Sequence, residues 1–209
     1  MFVAAAIAVV LTATPGPLEV VRQGNAQVQK ILGTEGATVE KLASKADEFV
    51  DFAELAKRAI GKEWPKLSKK QQDEFTSAMK GLLRASYAQR ALGDGKSGAT
   101  FEWGGEQVAG NEATVASTLV VKQDRFPVEY KLFRADAKAP WRIFDVVTDQ
   151  VSLVATYQDQ FRQLIAKKGV DGLISTLKAK RDQLEKGSTT AAAGSTTTAA
   201  AAQAQPGAK

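Results

Sequence analysis

Apolar positions recur at helical spacing through the first third of the chain. Leu18, Val21, Asn25, Val28 and Leu32 predict a first helix that stops near Gly33, and Val39, Leu42, Ala43, Ala46 and Val50 share one face of a second. Asp51 with Glu54 three residues on has the form of a capping box. It opens a stripe of Phe52, Leu55, Ala56, Ala59 and Ile60 that Gly61 closes. Ser68 and Gln71 repeat the device before the longest predicted helix, which carries Phe75, Met79, Leu82, Leu83 and Tyr87 and ends by Leu92.

After the turn GDGKSG at 93–98 the period falls from 3.6 to 2. Four strands fit: Thr100 to Val108, Ala113 to Val121, Phe126 to Arg134, and Pro140 to Val147. The short polar connections at 122–125 and 135–139 make neighbouring strands antiparallel hairpins. On the third strand Phe126, Val128, Tyr130 and Leu132 alternate with Pro127, Glu129, Lys131 and Phe133, so one face is bulky and apolar and the other mixed. Asp149 is expected to start a helix with Leu153, Tyr157, Phe161, Leu164 and Ile165 on one stripe and Gln158, Asp159, Arg162 and Lys167 opposite. Gly169 is placed to end it in a left-handed conformation, Val170 to cover the turn, and Asp171 to cap a last helix built on Leu173, Ile174, Leu177 and Leu184. Helices, a meander and two more helices make an α+β plan: a twisted antiparallel four-stranded, or slightly larger, sheet wrapped on one face by helices from both ends of the chain.

The two ends have another character. The run from Phe2 to Leu11 is apolar, too short to span a bilayer and followed by small residues, so 1–16 reads as a secretory signal peptide, although no Lys or Arg precedes it. Residues 17–187 are expected to form a single domain, which a chain of 209 residues with 44% hydrophobic content can stabilise. The Ala, Thr and Ser-rich segment 188–209 has no apolar period and is expected to be disordered.

Composition narrows the chemistry. The chain has 0 Cys and 0 His, which excludes disulfides, thiolate metal sites, a cysteine nucleophile, a lipidated cysteine, the usual zinc sites and a serine–histidine–acid triad. An exported form is therefore expected to be soluble and unanchored, with no cofactor, metal or catalytic residue. Asp145 and Asp149 flank the fourth strand and invite an acid–base reading. The plainer one pairs Asp145 with Arg142 or Arg134 and leaves Asp149 to the helix start. Gly95, Lys96 and Ser97 spell the end of a phosphate loop, but Arg90 stands where that loop needs glycine and the turn leads from helix to strand. The aromatics Trp64, Trp103, Trp141, Phe101, Phe126 and Phe144 read as core, and basic residues do not cluster on their strands, so nucleic acid is not an expected partner. Net charge is +5, with Lys167, Lys168, Lys178, Lys180, Arg181 and Lys186 near the C-terminal helices able to approach anionic headgroups or an acidic partner protein; interspersed Asp171, Asp182 and Glu185 favour a solvated face instead.

Three segments carry a resemblance. In order they are VDFAELAKRAIGKEWPKLSKKQQDEFTSAMKGLLRASYAQRAL from Val50 to Leu92, WRIFDVVTDQVS from Trp141 to Ser152, and KKGVDGLISTLKAK from Lys167 to Lys180. Together, over most of the chain between Phe49 and Lys186, they resemble the MlaC (toluene-tolerance) family of periplasmic phospholipid-binding proteins. The resemblance implies a non-enzymatic periplasmic carrier that shuttles glycerophospholipids between outer and inner membrane as part of an ABC-transport lipid-asymmetry system. It further implies two docking partners, an inner-membrane ABC transporter complex with a lipid-binding ring and an outer-membrane lipoprotein complex, with bound phospholipid as the cargo of a monomer. The acyl chains would lie in a pocket between curved sheet and helices. Assigned by face, its lining is Leu83 and Tyr87 from the long helix, Phe126, Val128, Tyr130 and Leu132 from the third strand, Phe144 and Val146 from the fourth, and Val151, Tyr157, Phe161 and Ile165 beyond it. Two other classes remain open: an isomerase-like enzyme acting on a hydrophobic substrate in a cone-shaped α+β fold, and a ligand-free partner-binding module whose core is filled.

Overall fold

The computed structural model describes residues 14–94 and 99–192, and side chains within them except at 88–94 and 187–192. Most of the predicted signal, Gly95 to Ser97, and 193–209 of the predicted tail lie outside the described residues. The N-terminal helices are α1 (Pro17–Leu32), α2 (Val39–Phe49) and α3 (Phe52–Ile60), followed by a short 3-10 turn (Gly61–Lys66) and α4 (Lys69–Asp94). The strands are β1 (Thr100–Ala109), β2 (Glu112–Val121), β3 (Asp124–Phe133), β4 (Arg142–Thr148) and β5 (Val151–Ser152), and α5 (Leu153–Ala192) completes the chain. All neighbours pair antiparallel in a 5-stranded meander ordered β1-β2-β3-β4-β5, the expected α+β architecture. Among the described residues no helix is long and apolar enough to cross a membrane.

Helix starts follow the polar residues that mark them. The Ser68 box closes in both directions: Gln71 N donates to Ser68 Oγ at 3.3 Å and Ser68 N to Gln71 Oε1 at 3.1 Å. The Asp51 box is half made. Asp51 Oδ1 accepts from Ala53 N and Glu54 N at 3.1 and 2.9 Å, but the Asp51 N–H donates to the carbonyl of Ile143 at 2.8 Å. With that donor committed to β4, Glu54 turns to Arg58 Nε at 2.8 Å, and Val50 leaves α2 to bridge Ile143.

Two expectations at the last helix change. Asp149 and Gln150 have φ of 49° and 64°, so they form a tight turn from β4 into β5 instead of starting a helix. Ser152 takes that role, accepting from Ala155 N at 3.0 Å. Within α5, Gly169 adopts φ 69° and breaks the helix into arms at 153–168 and 170–192, a backbone conformation that favours glycine. Asp171 accepts from Gln71 Nε2 at 3.0 Å, tying this arm to the start of α4. The arm continues past Lys186 to Ala192.

Burial is divided among separate clusters. Sheet residues Ala113, Val115, Leu132 and Ile143 pack with Val20 and Val21 of α1 and with Trp141. Helices α3, α4 and α5 form a second cluster around Phe75, Met79, Phe161 and Leu173, where Phe75 meets Phe161 edge-on with centroids 5.5 Å apart. Leu32 and Leu42 form a small third cluster with Val28, Ile31 and Val39. Each fully buried Leu, Val or Phe contributes about 1.5–3 kcal/mol.

Candidate functional site: an apolar hollow

The clusters do not merge, and a cavity of about 500 Å³ lies where they would meet. Val28 of α1 and Leu42, Ala43 and Ala46 of α2 form one wall, continued by Val50, Phe52 and Leu55. Leu83, Arg84 and Tyr87 of α4 form a second. The sheet supplies Ile143 to Val146, Thr148 and Val151, and the start of α5 supplies Leu153 and Thr156. Its inner residues Leu42, Leu55, Leu83 and Phe144 are buried, whereas Tyr87 and Val151 are 44% and 58% exposed and mark the mouth.

Two local features border this space. Of the three α2 residues that line it, Leu42, Ala43 and Ala46, two carry only a methyl side chain. On β4 the register shifts: Lys131 pairs with Asp145 and Leu132 with Ile143, leaving Phe144 as an unpaired extra residue. Strict alternation would set Phe144 and Val146 on one face. The bulge instead puts Ile143 and Val146 on the face of Leu132 and Tyr130, while Phe144 joins the helical cluster. Arg58 stacks over the Phe144 ring at 3.8 Å.

Asp145 is the buried carboxylate of the lining, 3% exposed. Ser152 Oγ donates to its Oδ2 at 2.6 Å, Val154 N donates to its Oδ1 at 3.0 Å, and Lys131 Nζ lies 3.8 Å away. It fastens the start of α5 to β4. The expected arginine partners are elsewhere: Arg142 Nη2 donates to the carbonyl of Val50 at 2.9 Å, and Arg134 Nη2 donates to Gly110 at 3.1 Å while its guanidinium stacks on Trp141. Asp149 is exposed in the β4–β5 turn. Among the described residues no His, Cys, Asp and Glu group could hold a metal ion.

Of the residues assigned by face, Leu83, Tyr87, Phe144, Val146 and Val151 line the cavity. Val128, Tyr130 and Leu132 stand one strand over; Val128 is buried outside the cluster that α1 covers, whereas Tyr130 and Leu132 pack within it, where Leu132 is 0% exposed. Burial there pushes the Tyr130 phenol up to about 12, with a hydrogen bond from Ser117 opposing it. Phe126 is exposed toward the far end of β3. Tyr157, Phe161 and Ile165 pack in the helical cluster. The α2 row, Val50, Phe52, Leu55, Ile143, Leu153 and the polar Arg84, Asp145, Thr148 and Thr156 were not anticipated. Ala43 and Ala46 within an otherwise bulky stripe were the available signal for the α2 wall.

A family model described as MlaC protein matches residues 18–179. Among solved structures, the chain is similar to a phospholipid-binding protein from Ralstonia solanacearum in complex with a phospholipid, with a TM-score of 0.70 and 23% sequence identity over 79% of this chain and 97% of that one. At that identity the likeness is one of fold.

Proposed function

The chain belongs to the MlaC family, and from that premise we propose that it is a carrier of glycerophospholipids whose acyl chains enter the hollow between α2, α4 and β4. The observation that carries this reading is the apolar cavity itself, about 500 Å³ within the roughly 300–1,000 Å³ usual for ligand sites. An acyl chain of about sixteen carbons costs on the order of 12 kcal/mol to expose to water. A dry hollow formed in advance offsets that cost without unfolding the protein, and a mouth at Tyr87 and Val151 leaves the headgroup near solvent. The phospholipid held by the similar Ralstonia protein supports the same reading.

On this proposal the protein works in the periplasm and performs no reaction. It takes lipid between an outer-membrane lipoprotein complex and an inner-membrane ABC transporter with a lipid-binding ring. The absence of His and Cys and the bonding of Asp145 to Ser152 and Val154 favour carriage over catalysis. Native mass spectrometry of protein purified from bacteria without detergent, followed by organic extraction, tests this. Phospholipid near one molecule per chain is expected; a bare mass from gently handled protein overturns the carrier reading. Replacing Asp145 with Asn is expected to leave lipid retention intact, whereas loss of a turnover with retention unchanged would indicate an enzyme.

A further inference from the structure

Charge on the cavity lining sits at two places with opposite characters. Both oxygens of Asp145 are hydrogen-bonded. Arg84 is differently placed: its Nη2 and Lys80 Nζ converge on a single oxygen of Asp47, Oδ2, the lysine at 3.0 Å. Arg84 Nε and Asp47 Oδ1 are buried with no hydrogen-bond partner among the described residues. Two cations on one carboxylate leave an excess of positive charge, and the guanidinium keeps donors unused. Lys80 and Arg84 are one turn apart on α4, so they face the same way. In sequence Arg84 stands between Leu83, buried in the wall, and Tyr87, exposed at the mouth. A group joined directly to acyl chains inside the hollow would reach that depth.

We propose that Arg84 of the lining, helped by Lys80 one turn away on α4, binds the phosphodiester of the cargo, and that Asp47 is the internal counter-ion they release when lipid enters. This inference rests on the carrier reading. The chemistry fits because a guanidinium presents paired N–H donors to two phosphate oxygens, and such charge-assisted bonds are roughly twice as strong as neutral ones. The α2–α4 contact through Asp47 is then a competitor of the ligand as well as a structural link. Recognition through the phosphodiester is shared by all glycerophospholipids, so the site separates them from neutral lipids with the same chains.

The test compares equilibrium binding of phosphatidylglycerol and of diacylglycerol with identical acyl chains to the full chain, with inorganic phosphate as a third probe. Wild-type protein is expected to prefer the phosphate-bearing lipid by about tenfold or more, the scale of one charge-assisted hydrogen bond. Arg84→Gln is expected to remove most of that preference by weakening phosphatidylglycerol far more than diacylglycerol, and Lys80→Gln to reduce it by roughly threefold. Asp47→Asn is expected to raise it, the opposite sign from Arg84→Gln. A purely structural bridge would weaken binding in both variants alike and would overturn the proposal, as would equal binding of the two lipids by the wild type. Inorganic phosphate binding that Arg84→Gln abolishes, with lipid preference untouched, would assign the cluster to a free anion and likewise overturn it. Binding of neither lipid would remove the carrier reading itself. Thermal melting of each variant shows whether it is folded.

Discussion

One face of the sheet is solid at one place and hollow at the next. Where α1 lies against β2, Val115 and Leu132 of the neighbouring β3 are 0% exposed and Ala113, Tyr130 and Trp141 pack around them. Toward β4 the same face carries Ile143 and Val146, which touch this cluster on one side and border the cavity of about 500 Å³ on the other. Hydrophobicity does not distinguish the two regions, since both are lined by aliphatic and aromatic side chains. What differs is the bulk of the covering helix: α1 adds Val20 and Val21 to the sheet cluster, whereas two of the three α2 residues at the hollow, Ala43 and Ala46 beside Leu42, are alanines. The solid region contributes stability and the hollow one gives some up, in keeping with a face divided between folding and carriage.

The widest separation between the regions is expected from large-to-small substitution. Leu132→Ala should lower stability by about 2–5 kcal/mol in urea unfolding, with lipid per folded molecule unchanged. A pH titration comes next. The Tyr130 phenol is raised from its ordinary value near 10 to about 12, so its contribution is fully present below pH 10 and lost as pH rises through 12. That loss should be about 2–3 kcal/mol, and Tyr130→Phe should abolish the step attributable to this group. The sharpest contrast is a single change made twice. Ala113→Leu on the solid side should overpack it and cost about 1–3 kcal/mol, with retention unaffected. Ala43→Leu in the hollow should alter stability by less than about 1 kcal/mol while lowering the lipid retained in native mass spectra. Equal penalties at the two alanines would erase the distinction between the regions.

Much of the fold was legible because period and punctuation are local. The strands, the Ser68–Gln71 capping box, and the helix break at Gly169 follow from spacing and from residues that satisfy backbone groups near them. The half-made Asp51 box was not, because its missing bond is given to Ile143, far along the chain. Asp149 looked like a helix cap; a turn with two positive φ values and a short fifth strand intervene. At the site, α4 and β4–β5 residues were found by face, while Tyr130 and Leu132 were placed in a pocket at a part of the sheet that α1 fills with side chains. Alternation identifies which residues point to a face. It does not tell which helix covers that face or how far its side chains extend, and a bulge such as that at Phe144 shifts the alternation itself.

Crystals of the protein loaded with a phospholipid brominated along its acyl chains would test the division of the sheet most directly. Anomalous bromine peaks are expected between Ala46 and Val146, close to Leu42 and Leu83, with none between α1 and Leu132. Bromine on the outer surface of the sheet, or side chains collapsed across the space beside β4 with no lipid there, would contradict it.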